Sequence, residues 1–428
     1  MKREKMNVKK NRNYPLPSAK PEDVGFSSEK LDQIGPGLQK YIDKKWVPNL
    51  VALVARHGKL VYFDARGYTD FESMKPVHKD TLFRLYSNSK PVAGVVTMML
   101  CEEGKLGLDD AIYRYIPSFR GQMVVAPKID QPEPNAAMLI PTVPANRGIT
   151  IRDCLRNTTG LPTAMRMPLV YLQLYKDELT VLGMYPGSFP GSRDARERAE
   201  AYAKLPLSFQ PGTDFEYHVG YPLLNVVLEM AAGQPLEEFY RERIFKPLGM
   251  DDTSFFLPKN KLNRFPPCHT PRREGQEWKL AITERPENSP KVTGNKYCDV
   301  GGLVSTAGDY ARFCQMLLNG GELDGNRIIS RKSVEMMTAN HIGDIHNTIT
   351  GKGFGFGLGV SQYKGGAMRP VWRSVGSFFW SGAAGTTCNI DPKEDIVAVC
   401  FTQVLMHVTI PGNYYQEDFE RLVYQALL

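Results

Sequence analysis

Apolar and polar positions follow different periods in different parts of the chain, and these periods predict its elements. Apolar residues recur every three or four positions over 27–43, which predicts a helix. A Gly-Pro-Gly run at 35–37 lies within that helix and is expected to bend or break it. The stretches 50–56 and 59–66 alternate between apolar and polar residues on either side of a His-Gly pair, and therefore predict a β-hairpin.

The middle of the chain shows mainly helical periods and few strand patterns. An apolar helical stretch begins at Pro222 and ends before Gly233, the usual order of residues at a helix start and stop. A second helix is predicted over 236–244. Five prolines between 127 and 144 predict a long loop.

Alternation returns in the last third of the chain. Thr306 and Asp309 form a capping-box pattern that predicts a helix start. The segment 353–359 has a period of two and predicts a strand. The stretches 386–390 and 396–403 flank an Asp-Pro turn and predict another hairpin, and a final apolar stripe predicts a C-terminal helix.

These elements predict an α+β fold, in which an antiparallel sheet built from both chain ends is flanked by helices and a mainly helical domain is inserted. The predicted domains are a discontinuous α/β domain, 25–105 with 290–428, and a mainly helical inserted domain, 106–289. Residues 1–24 are predicted to be a basic, flexible tail. The active site is expected between the two domains.

The net charge of +7 comes mostly from the N-terminal tail, and the rest of the chain is close to neutral. We therefore predict no nucleic-acid partner. The apolar runs are too short to span a bilayer, and the start lacks the apolar core of a secretory signal, which predicts a cytoplasmic protein with no membrane partner. Seven cysteines without a C-x-x-C spacing favour free thiols over disulfides or a zinc site: Cys101, Cys154, Cys268, Cys298, Cys314, Cys388 and Cys400.

The strongest chemical pattern lies in the segment 83–91, Phe-Arg-Leu-Tyr-Ser-Asn-Ser-Lys-Pro. Ser87 and Lys90 are three positions apart at the start of an apolar helical stretch, so their side chains are expected to touch. A serine hydroxyl becomes a good nucleophile when a neighbouring base takes its proton. The helix N-terminus adds positive potential for a developing oxyanion. A capped helix with a solvated lysine would show the same short pattern.

Other catalytic and binding patterns are absent or weak. The chain has no G-x-S-x-G nucleophile elbow, and the glycines of 353–359 lack the spacing of a dinucleotide loop. His341, Asp344 and His346 do not have a spacing that favours a metal site. No metal and no cofactor are therefore predicted.

Five segments in order along the chain resemble family VIII carboxylesterases and their class C β-lactamase relatives, within the penicillin-binding superfamily. Segment 83–91 resembles the nucleophile motif of that family. Segment 149–161 resembles its stretch ending in His-Thr-Ser-Gly-Leu, with Asn157 and Thr159 substituted. The other three resemble its tyrosine segment and its later landmarks, namely 211–217, 301–309 and 380–386.

The resemblance implies a β-lactamase/transpeptidase-like fold. It also implies that Ser87 is the nucleophile, Lys90 its base and Tyr217 a proton relay to the leaving group. The backbone N–H groups of Ser87 and Ala383 would form the oxyanion hole. Trp380 begins the strand segment that carries Lys-Thr-Gly in β-lactamases. The residues expected to bind substrate are Trp380, Ser381, Gly382, Val219 and Phe379.

Two departures from the β-lactamase pattern affect the substrate expected. Val219 occupies the position of the asparagine in Tyr-x-Asn, which binds the lactam side chain, and Trp380 occupies that of the lysine which attracts the β-lactam carboxylate. Trp380 and Phe379 could form an apolar pocket or pack in a core strand. The predicted function is a serine esterase acting on small short-chain esters. A β-lactamase, a D-amino-acid peptidase, an acyltransferase or a catalytically silent peptidoglycan-binding relative remains an alternative, and no oligomeric state is predicted.

Overall fold

The computed structural model describes residues 14–126, 141–164, 166–167, 169–188, 192, 194–292 and 302–428. The predictions for 1–13, for most of the proline-rich loop, for Cys298 and for Gly301 lie outside these residues. In chain order the strands are β1 Asn49–Arg56, β2 Lys59–Gly67, β3 Phe83–Arg84, β4 Met123–Val125, β5 Thr142–Pro144, β6 Cys268–Glu274, β7 Glu277–Glu284, β8 Val304–Ser305, β9 Glu322–Leu323, β10 Asn326–Arg327, β11 Phe354–Phe356, β12 Ser361–Tyr363, β13 Phe378–Ser381, β14 Thr387–Asp391 and β15 Ile396–Phe401.

The α-helices alternate with these strands and concentrate in the middle of the chain. In chain order they are α1 Ser28–Leu31, α2 Ile34–Asp43, α3 Lys90–Glu102, α4 Ile151–Arg156, α5 Tyr171–Leu174, α6 Lys176–Leu182, α7 Ala195–Lys204, α8 Tyr221–Ala232, α9 Leu236–Tyr240, α10 Ala307–Leu318, α11 Arg331–Thr338 and α12 Tyr415–Gln425. None of the helices within the described ranges is long and apolar enough to cross a membrane.

A seven-stranded antiparallel sheet in the order β11-β12-β13-β14-β15-β1-β2 forms the centre of the molecule. Strands from the two chain ends meet where β1 pairs with β15, which confirms the predicted α+β architecture. Alternate residues of β1 enter two different cores. Val51 and Leu53 face the layer that contains α10, whereas Leu50 and Ala52 face the layer of α2 and α12.

The first predicted helix breaks earlier than its Gly-Pro-Gly run. The chain forms α1, turns at Asp32 and Gln33, and begins α2 at Ile34. Pro36 therefore lies in the first turn of α2, where its missing N–H costs no intrahelical hydrogen bond. The prediction of a break was right, but its position was wrong.

Residues 14–24 do not fit the expected flexible tail. The Tyr14 hydroxyl donates a hydrogen bond of 2.5 Å to Asp309 Oδ1, and the Leu16 side chain is buried in the main core. Arg312 donates a hydrogen bond of 2.8 Å to the Pro15 carbonyl oxygen. These contacts come from α10, which is too far along the chain for the local composition of the tail to reveal.

The middle of the chain contains the predicted helices and also a hairpin that the sequence pattern missed. Strands β6 and β7 pair around Gly275. Most of their side chains are exposed or half-buried, so β6 carries no apolar alternation, and Pro271 further disguises it. The prediction of a mainly helical segment 106–289 therefore missed the hairpin at 268–284. The proposed domain boundaries stay a prediction.

Candidate active site

Ser87 lies in a 3-10 turn, Tyr86–Ser89, that leads directly into α3. Lys90 Nζ donates a hydrogen bond of 2.9 Å to Ser87 Oγ. Pro91 occupies the first turn of α3, as the pattern predicted. Tyr86 has a φ of 47°, a left-handed conformation that is costly for a bulky residue and turns the chain just before the serine. The structure therefore brings together the two residues on which the catalytic prediction depends.

The Lys90 side chain is fully buried beneath two tyrosine rings. Its Nζ lies 4.9 Å from the centre of the Tyr217 ring and 4.9 Å from the centre of the Tyr221 ring. The faces of both rings attract a cation, while burial removes the lysine from bulk water. Lys90 is thus not a solvated surface lysine, which excludes the alternative of a merely capped helix.

Tyr217 lies on a loop that Asn157 holds on both sides. The carbonyl oxygen of Asn157 accepts a 2.9 Å hydrogen bond from the Glu216 N–H, and its Oδ1 accepts a 2.9 Å hydrogen bond from the His218 N–H. Asn157 ends α4 in a left-handed conformation, which asparagine tolerates better than most residues. The segment resembling His-Thr-Ser-Gly-Leu therefore positions the tyrosine, a role that its sequence did not reveal.

Trp380 connects the sheet to this tyrosine. Its indole Nε1–H donates a 3.1 Å hydrogen bond to the Tyr217 hydroxyl oxygen, and the two rings are 5.4 Å apart. Because indole N–H can only donate, the Tyr217 oxygen is the acceptor, and its own hydrogen is left for another partner. Trp380 also packs perpendicular to Phe356, with ring centres 5.0 Å apart.

The structure places the other residues predicted for substrate binding and the oxyanion hole in three locations. Gly382 and Ala383 form the turn after β13, beside the Leu85 backbone, and Ala383 is exposed. The Phe379 and Ser381 side chains lie on the opposite face of β13 and line a cavity of about 570 Å³ against α12. The Val219 side chain is buried in the main core. Phe379 therefore lies on the strand face opposite the one from which Trp380 contacts Tyr217.

Asp153 of α4 forms ion pairs with Arg147 and Arg156 in the segment that holds the Tyr217 loop. It accepts hydrogen bonds from Arg147 Nη2 at 3.0 Å, Arg156 Nη2 at 2.9 Å and the Thr150 N–H at 3.0 Å. Burial raises the pKa of Asp153, but the hydrogen bonds from Arg147 and Thr150 outweigh burial and lower the pKa to about 2.

Asp153→Asn is expected to lower the free energy of unfolding by about 2–3 kcal/mol at pH 7, the equivalent of this pKa difference. A folded-state pKa below the unfolded one gives stability that is present above about pH 4 and lost as the pH falls through 2. The difference from wild type, measured by urea denaturation, should therefore shrink below pH 4. Asp109→Asn is the control, because Asp109 is exposed and pairs with Arg152. An Asp153→Asn protein as stable as the control at pH 7 would contradict the prediction.

Together these residues can carry out acyl transfer. Lys90 can take the Ser87 proton as the oxygen attacks a carbonyl carbon, and the Tyr217 hydroxyl can supply a proton to the leaving group. Backbone N–H groups at Ser87 and Ala383 can stabilise the oxyanion. A serine in the turn before a helix, hydrogen-bonded to a buried lysine at the helix start and opposed by a tyrosine, is typical of serine hydrolases that use lysine rather than histidine as their base.

The chain belongs to the Beta-lactamase family, whose model matches residues 38–407. It is 30% identical to Mycobacterium tuberculosis protein Rv1367c over 93% of this chain and 99% of that protein. It is also 30% identical to esterase EstB of Burkholderia gladioli, over 56% of this chain and 54% of that one. The solved structure of EstCE1, described as a hydrolase with promiscuous acyltransferase activity, matches with a TM-score of 0.75 and 25% identity, over 92% of this chain and 99% of that one. The protein is therefore a serine hydrolase of the β-lactamase superfamily.

Proposed function

We propose that this protein is a carboxylesterase that hydrolyses small short-chain esters through an acyl-enzyme on Ser87, with Lys90 as base and Tyr217 as proton relay. The observation that carries the proposal is the hydrogen bond from Trp380 Nε1 to the Tyr217 hydroxyl oxygen. It shows a neutral indole contacting the tyrosine from the strand position at which β-lactamases carry a lysine. The similarity to esterase EstB and to the hydrolase EstCE1 supports the same function.

The substrate preference follows from two contacts that this chain lacks. Trp380 offers no cation for a β-lactam or peptide carboxylate, and Val219 offers no amide for the side chain of a lactam. A hydrogen bond to a charged group is worth about 1.5–3 kcal/mol, or roughly 10- to 150-fold in rate. A small uncharged ester needs neither contact.

We expect the specificity constant for p-nitrophenyl butyrate to exceed that for benzylpenicillin by about a hundredfold or more. A peptide ending in D-Ala-D-Ala should be cleaved as poorly, because it also carries a carboxylate. Steady-state rates with the three substrates test this, and Ser87→Ala serves as the control that all turnover uses one serine. Equal or faster turnover of the penicillin would favour a β-lactamase, and faster turnover of the peptide would favour a D-amino-acid peptidase. Absence of both turnover and fluorophosphonate labelling would favour a silent binding relative.

A further inference from the structure

The two backbone donors proposed for the oxyanion lie in two separate tight turns. Ser87 is in the turn 85–88, which the Asn88 N–H closes on the Leu85 carbonyl oxygen at 3.0 Å. Ala383 is in the turn 382–385, which the Gly385 N–H closes on the Gly382 carbonyl oxygen at 2.9 Å. Each turn fixes the direction of its own N–H groups, but neither turn fixes the distance between the two turns.

Thr386 connects these two turns through both its side chain and its backbone. Its Oγ1 donates a 3.0 Å hydrogen bond to the Leu85 carbonyl oxygen, the same atom that closes the nucleophile turn. Its carbonyl oxygen accepts a 2.7 Å hydrogen bond from the Gly382 N–H. The Thr386 side chain is fully buried. The Leu85 oxygen thus uses both of its lone pairs, one for each side of the proposed oxyanion site.

The Thr386 hydroxyl packs closely against the backbone at Gly382. A Cβ on Gly382 would lie 2.2 Å from the Leu85 carbonyl oxygen and 2.3 Å from Thr386 Oγ1, so only glycine fits there. The close approach of the two turns therefore depends on a glycine on one side and on a hydrogen-bonding hydroxyl on the other.

We infer that Thr386 is a positioning residue, whose hydroxyl sets the distance between the Ser87 and Ala383 N–H groups. The inference rests on the proposed function, since it assigns these two groups to the oxyanion. Oxyanion donors act only when they are placed for the charge that develops in the transition state. Loss of the hydroxyl should therefore reduce kcat and leave KM almost unchanged.

The test compares Thr386→Val, Thr386→Ala and Thr386→Ser with the control Thr387→Val. Thr387 is the next residue, but its Oγ1 accepts a 3.1 Å hydrogen bond from Ser381 on the opposite face of the sheet, beside the cavity against α12. With p-nitrophenyl butyrate, Thr386→Val and Thr386→Ala should lose about 10- to 100-fold in kcat. Thr386→Ser and Thr387→Val should stay within about threefold of wild type, and the labelling rate of Ser87 by a fluorophosphonate should follow the same order.

Three other results would overturn the inference that Thr386 positions the two N–H groups. Equal kcat for Thr386→Val and Thr387→Val, or a Thr386→Ser protein as slow as Thr386→Val, would show that the hydroxyl does not position the donors. A rise in KM without a fall in kcat would assign Thr386 to substrate binding instead. Since valine could disturb folding, Thr386→Ala gives the same comparison without added bulk beside Gly382. A wild-type protein that neither hydrolyses the ester nor is labelled at Ser87 would overturn the proposed function and this inference together.

Discussion

Ser87→Ala should lower the rate of ester hydrolysis by a factor of about 10⁴ or more while leaving the fold intact. The Ser87 hydroxyl is half-buried and accepts its hydrogen bond from Lys90, three residues away, so its removal costs this one local contact and disturbs no distant element. In the proposed mechanism, covalent catalysis runs through this one oxygen. The measurement is the rate with p-nitrophenyl butyrate, together with thermal unfolding.

Ser89→Ala, two residues away, is expected to affect stability and not turnover. The Ser89 side chain is fully buried, and its Oγ accepts a 3.0 Å hydrogen bond from the Leu303 N–H. Its removal leaves a buried donor unpaired, which costs about 1–3 kcal/mol of stability. Ser89→Ala should therefore unfold more easily and keep its turnover, whereas Ser87→Ala should keep its fold and lose its turnover. A fluorophosphonate adduct found on Ser89 or Ser381 by mass spectrometry would refute the assignment of the nucleophile.

Lys90→Arg should lower kcat by about 10²- to 10⁴-fold, the usual contribution of a general base, even though it keeps the positive charge. Arginine cannot give up a proton in a protein, so it cannot accept the one from Ser87. Lys90→Met, which keeps the length of the chain without its amine, should be equally slow. Both proteins should bind substrate with little change in KM if lysine acts in the chemical step.

A larger group at position 90 could also displace the rings of Tyr217 and Tyr221, so the pair of variants is needed. Methionine has no guanidinium to crowd these rings, and its activity therefore reports the loss of the amine without added bulk. More than about a tenth of wild-type turnover in Lys90→Arg or in Lys90→Met would show that another residue takes the proton. Circular dichroism and thermal unfolding establish that both variants are folded.

The local parts of the molecule could be predicted well. The hairpin of β1 and β2 follows from alternation and a two-residue turn, and the meeting of Ser87 with Lys90 follows from a spacing of three at the start of a helix. Both involve residues within a few positions of each other. Their geometry is fixed by backbone periods, which the sequence displays directly.

The hairpin of β6 and β7 and the anchored segment 14–24 escaped prediction because their stabilising partners are remote. The β6 strand is mostly polar and exposed, and its His269 N–H bonds to the Gln403 carbonyl oxygen beyond β15. Tyr14 is held by Asp309 of α10. A local pattern of apolar residues carries no information about such contacts.

The sequence by itself determined the sheet from both chain ends, the serine and lysine on one helix, and the family that these motifs indicate. The sequence alone grouped Phe379 with Trp380 in one apolar pocket or core strand, although neighbouring residues of a strand face opposite ways. Only the tertiary structure decided that Trp380 faces Tyr217 while Phe379 faces α12, because that choice depends on which layer covers each face. The same holds for Asn157 and Thr386, whose hydrogen bonds join segments far apart in the chain and exist only after those segments have packed together.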